Sequence, residues 1–141
     1  MRIRNAVATV GIALAGAAAA TASAGSAAAF TPYSNPGEGI FLGVDLTHDE
    51  TVALSNSWIP AAITQINGGH NMIAPDPTYS DLVVDGRPHG SMTQVVGEAA
   101  DVPGGQVGLY LVDPARFRGG NFLLIQDLGG WDYYLRHMHD N

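Results

Sequence analysis

Five histidines and thirteen carboxylates make up the chain's titratable chemistry, and three short stretches gather them. The first is His48-Asp49-Glu50, a set of residue types suited to proton transfer or metal ligation. Thr47 precedes it, and Thr47-x-x-Glu50 is a capping box in which each end satisfies an unpaired backbone donor of the other. Asp49 and Glu50 then fall in a first helical turn, where carboxylates complement the helix dipole, and that local duty accounts for both. The second stretch places Asp85, His89 and Ser91, the three groups of a hydrolase triad, within seven residues. A triad is assembled by the fold and seldom comes from one turn. No Gly-x-Ser-x-Gly elbow surrounds Ser91, and Ser91-x-x-Gln94 is a second capping box.

The third stretch is His137-Met138-His139-Asp140. Imidazoles and a carboxylate suit copper, nickel or zinc, so His137, His139 and Asp140 are metal candidates. On a helix, residues two apart point to nearly opposite sides, and zinc wants three or four convergent ligands, so His70 or His89 would have to join them. Gly104-Gly105 and Gly119-Gly120 have no phosphate-loop spacing and no Gly-Lys-Ser/Thr. No cofactor is expected.

The strongest binding candidate is the loop Asp113-Pro114-Ala115-Arg116-Phe117-Arg118-Gly119-Gly120. Arg116 and Arg118 flank Phe117 on a glycine-hinged segment, an arrangement able to clamp a carboxylate or phosphate or to anchor a protein interface. The competing reading pairs the arginines with neighbouring carboxylates and tucks Phe117 into the core edge. Near the end, Trp131, Tyr133 and Tyr134 offer aromatic surface. Helical spacing assigns Trp131 and Tyr134 to packing and leaves Tyr133 as the exposed binding candidate.

The elements that must position these groups follow a leader. Arg2 and Arg4, an apolar run from Ala6 to Ala22 and small residues to Ala29 read as a secretory signal, cleaved after Ala29 or alternatively after Ala24. The run is alanine-rich and interrupted by Thr9, Gly11, Gly16 and Thr21, which makes it a poor permanent span. Removing it takes the formal charge from −7 to about −9, a field that repels nucleic acid and anionic membranes. The chain has no lysine and no cysteine, so burial alone must hold an exported fold. Residues 30–141 are one domain by size.

Residues 30–39 read as an extended arm, and 40–141 as a single α+β domain. A strand is expected at Ile40–Val44, a helix from the Thr47 box to about Asn56, and a second helix with Ile59, Ala62, Ile63 and Ile66 on one stripe. Gly68-Gly69 supplies its stop. His70–Tyr79 reads as a loop and Asp81–Val84 as a short strand before an Asp85-Gly86 turn. The Ser91 box opens a helix with Met92, Val95, Val96, Ala99 and Ala100 in one stripe. Gln106–Val112 and Asn121–Gln126 form a central hairpin, apolar on both faces and therefore expected to be covered on each side. Trp131–Met138 is expected to be a short docking helix. The sum is a three- to four-stranded, mainly antiparallel sheet with three to four short helices.

Three functional classes are consistent with this. The first is a small secreted acidic binding protein, inhibitor-like, toxin- or immunity-like or envelope-associated, whose partner is an extracellular or envelope protein or an anionic small ligand. The second is a small extracellular hydrolase using His48, His89 and nearby carboxylates. The third is a metal- or pH-responsive protein using the histidines. Elimination favours the first.

Overall fold

The computed structural model describes residues 31–66 and 70–131. The leader at 1–29, the expected Gly68-Gly69 stop, and Tyr133, His137, His139 and Asp140 with most of the expected C-terminal helix lie outside them.

Both capping boxes form. Glu50 Oε2 accepts from Thr47 N at 2.8 Å while Thr47 Oγ1 accepts from Glu50 N, opening α1 (His48–Ser55). Ser91 and Gln94 reciprocate in the same way at the start of α3 (Met92–Asp101). Between them, α2 (Ile59–Gln65) carries Pro60 in its first turn, where a missing N–H costs nothing. Replacing Ser91 with Ala removes one reciprocal bond and is expected to cost about 1 kcal/mol. A thermal melt should show Tm lowered by a few degrees; an unchanged Tm contradicts the capping role.

The strands are β1 (Thr31–Asn35), β2 (Ile40–Asp45), β3 (Met72–Ala74), β4 (Val83–Val84), β5 (Arg87–Pro88), β6 (Gln106–Val112) and β7 (Phe122–Asp127). Five of them make one sheet in the order β1-β2-β6-β7-β3, antiparallel except for β3, which runs parallel to β7. The fold is mixed α+β as expected, with the β6–β7 hairpin at interior positions, but the sheet has one strand more than the sequence suggested. The supposed arm supplies β1, and the supposed loop at 70–79 supplies β3. Each is an edge strand whose order comes from a neighbour. Pro32 is tolerated at such an edge, and Pro75 stops β3 after three residues. The strand expected at 81–84 shortens to Val83–Val84 and pairs with β5 across Asp85-Gly86, both at positive φ (52° and 71°), the geometry of a tight hairpin turn.

Register decides which side is core. Val44, Leu109 and Leu124 lie abreast across β2, β6 and β7, flanked by Leu111–Phe122 and Val107–Gln126. Leu54 of α1, Ile59 and Ile63 of α2, and Met92, Val95, Val96 and Ala99 of α3 pack on that one face. These described helices all lie on that face; the expected C-terminal docking helix, the other candidate for cover, lies beyond Trp131 and outside the described residues. None of the helices among the described residues is long and apolar enough to cross a membrane.

Candidate functional site

The groups singled out from the sequence are mostly occupied by local duties. His48 donates from Nδ1 to the Gly105 carbonyl at 2.8 Å, joining the start of α1 to the start of β6. Glu50 is spent on its cap; its second oxygen is buried without a partner. Asp85 and His89 are exposed on the β4–β5 hairpin and its exit, and Ser91 Oγ accepts from Gln94 N. Among the described residues, no three His, Asp or Glu side chains gather in a metal-holding group.

The arginine loop folds down on the turn at Pro36–Gly39. Asp113 N donates to the Gly39 carbonyl at 2.8 Å, and the Arg116 guanidinium donates to the Gly37 carbonyl. Phe117 is half-buried with its ring against Gly39, and Arg118 is exposed at φ 51°. Arg116 therefore acts as a strut between two loops and meets a backbone oxygen, not a carboxylate.

The side chains that do converge are on the sheet face opposite the helices. Alternation places Tyr33, Tyr110 and Leu123 in one row with Gly43 between the two tyrosines, and Asp45, Gly108 and Ile125 in the next. Gly43 and Gly108 are there because the Tyr110 side chain lies across both: a Cβ on Gly43 would enter the ring, and one on Gly108 would meet its hydroxyl. Tyr33 stands edge-on to that ring, centroids 6.4 Å apart and planes at 88°, a favourable quadrupole arrangement. The Tyr110 hydroxyl donates to Asp45 Oδ1. Burial, then the Asp45 hydrogen bond and charge, raise the phenol far above its ordinary range, so it remains a neutral donor.

At the Asp45 end this face deepens into a groove of about 340 Å³, whose described lining is Asp45, Leu46, Gln106, Val107, Gly108, Tyr110, Ile125, Asp127 and Trp131. The arginine loop joins the opposite ends of β6 and β7. Asp127 Oδ1 accepts from Gly129 N at 2.8 Å, and the Trp131 indole N–H donates to the Gln126 carbonyl, which fixes the ring at the groove's margin. Each carboxylate keeps a second oxygen that no described donor engages.

The wall carrying Trp131 is held from behind by Asp76, a fully buried carboxylate. Its Oδ1 accepts from Thr78 N (2.9 Å) and Tyr79 N (3.0 Å), and its Oδ2 from Leu128 N (2.9 Å) and Gly130 N (2.8 Å). Burial alone would raise its pKa, but the four backbone donors outweigh burial and hold it below the ordinary carboxylate value. Gln126 ties the same region to α3: its amide donates to Val95 O at 3.0 Å and Glu98 Oε2 at 2.7 Å, and its oxygen accepts from Asp76 N at 2.9 Å.

Sequence reasoning passed over Tyr33, Asp45, Tyr110 and Asp127. The signal available for them was two glycines, Gly43 and Gly108, interrupting strands otherwise rich in branched and aromatic residues. In chemical terms the described residues of the groove offer carboxylate acceptors, aromatic rings and the aliphatic Ile125, with neither a cationic side chain nor a nucleophile among them. The chain matches no protein-family model, no curated protein and no solved structure, so its chemistry rests on this geometry.

Proposed function

We propose that the chain is a small secreted acidic binding protein, inhibitor-like, toxin- or immunity-like or envelope-associated, which engages its partner outside the cell or in the envelope through the tyrosine-bearing sheet face. One observation carries this reading: a groove of ligand size with aromatic walls and two incompletely engaged carboxylates, on a sheet face that no described helix covers. The leader supports export, and the acidic balance argues against nucleic acid as partner. The arginine loop is the rival surface. It is favoured less, because Arg116 is already engaged and Phe117 is half-buried.

Capture from culture medium and envelope extract separates the two surfaces. The double variant Asp45→Asn/Asp127→Asn is expected to lose a partner that wild type and Arg116→Ala/Arg118→Ala retain. Asn at position 45 still accepts from Tyr110, so the sheet stays intact. Loss confined to the arginine variant overturns the assignment to the sheet face.

A further inference from the structure

Resting on the reading of the sheet face as the binding surface, we infer that in the free protein this face is occupied by the chain's own C-terminal segment, residues 132–141, which a partner must displace to engage it.

The composition of the face calls for a cover. A solvated face of an antiparallel sheet alternates to polar side chains. Here the positions turned away from the helices are Tyr33, Tyr110, Leu123 and Ile125, continued at the β3 edge by Met72 and Ala74, which pair with Leu123 and Ile125. Helices α1, α2 and α3 bury their apolar residues on the opposite side. In the rest of the sequence, residues 1–29 are the expected leader and 67–69 are Asn-Gly-Gly, so the apolar stripe left for this face is the one at Tyr134, Leu135 and Met138.

Position and length agree with that choice. Trp131 lines the groove and its indole N–H donates to the Gln126 carbonyl, so the segment departs from the β7 margin of the face itself. The order β1-β2-β6-β7 puts β1 three strand spacings away, about 14 Å. Ten residues follow Trp131, and at the helical rise they extend about 15 Å, enough to pass over Ile125 and Tyr110 and reach Tyr33. Tyr134, Leu135 and Met138 stand three, four and seven positions after Trp131, the spacing that turns them to the same side as the anchored indole. A tethered segment is also present at high effective concentration, which favours it over a second copy of the chain as occupant. A partner's apparent affinity is then reduced in proportion to the fraction of molecules in which the face is open.

The chain has no cysteine, so Asn141→Cys carries a single nitroxide on otherwise unaltered secreted protein, read by backbone amide NMR. The amides of Tyr33, Gly43 and Tyr110 are expected to broaden more than those of Thr93, Gln94 and Asp101, exposed on α3 across the sheet. Adding Tyr134→Ser/Leu135→Ser to the labelled chain should abolish that difference while leaving the α3 amide shifts in place, which establishes that the variant is folded. Broadening that is equal on the two sides, or stronger on α3, overturns the occupancy. In a mixture of nitroxide-bearing chains without isotope and unlabelled chains enriched in nitrogen-15, the same broadening would assign the face to a second copy and overturn it as well. In the capture experiment, Tyr134→Ser/Leu135→Ser should take up severalfold more partner than wild type. Unchanged uptake overturns displacement as a condition of binding. A partner lost only by Arg116→Ala/Arg118→Ala would instead overturn the face as the binding surface, an outcome separate from the broadening result.

Discussion

Asp76→Ala is expected to destabilise the protein by about 3–5 kcal/mol, a large part of the 5–15 kcal/mol typical of a domain. The carboxylate is fully buried and is the shared acceptor for the N–H groups of Thr78, Tyr79, Leu128 and Gly130, so its removal strands four donors at once. Asp76→Asn should not rescue, because whichever way the amide is turned, its NH2 group faces two N–H donors where an acceptor is needed. Gly130 belongs to the same arrangement, since a Cβ there would collide with Asp76 Oδ1.

The pH dependence follows from the direction of the shift. The folded pKa lies below the ordinary 3.8, so the folded state holds its carboxylate in the charged form more strongly than the unfolded chain does. The stability this contributes is complete above 3.8 and is lost as pH falls from there through the folded value. Urea melts between neutral pH and pH 3 should show wild type losing stability on acidification and Asp76→Ala showing a smaller loss. A wild-type acid slope retained in full by Asp76→Ala contradicts the role given to this carboxylate.

The second large effect is expected at Gly105. Its neighbour Gly104 sits at φ 77° with open space around it, so Gly104→Ala pays only for left-handed backbone, about 1 kcal/mol. Gly105 has no such φ; a Cβ there would run into the carbonyl of Ala99 and lie 3.1 Å from that of Val102. Backbone oxygens at the end of α3 cannot rotate away as a side chain can. Gly105 N also donates to Val102 O at 2.9 Å, and its carbonyl receives the His48 ring, so displacement loosens α1, α3 and β6 together. Gly105→Ala is therefore expected to cost about 3 kcal/mol, at the upper end for overpacking. Chemical denaturation of the two alanine variants side by side tests this; equal losses would sink the steric explanation.

The features legible in the sequence were those whose causes are local. Thr47-x-x-Glu50 and Ser91-x-x-Gln94 contain their own hydrogen-bond partners, and the stripe at Met92, Val95, Val96 and Ala99 follows from helical period alone. Strands β1 and β3 escaped notice because Pro32 and the Pro75-Asp76-Pro77 run hide them, and pairing with β2 and β7 supplies their order. Asp76 was illegible for a related reason: two of its four donors lie more than fifty residues away.

The proposed sheet-face site is hard to read from sequence for a different reason. Two-residue alternation in β6 and β7 separates the faces but does not say which one helices cover, and Tyr110, Leu123 and Ile125 look like core by type alone. The arginine loop drew attention through composition, whereas Arg116 binds the Gly37 carbonyl, a partner composition cannot reveal.

Photocrosslinking reads out the binding surface most directly. A benzophenone side chain is placed at Gln106, exposed on the groove rim, or at Arg118, exposed on the arginine loop, and the secreted protein is irradiated with envelope extract. The sheet-face assignment predicts a discrete adduct from position 106 that Asp45→Asn/Asp127→Asn abolishes, and none from position 118. An adduct from 118 alone would contradict it.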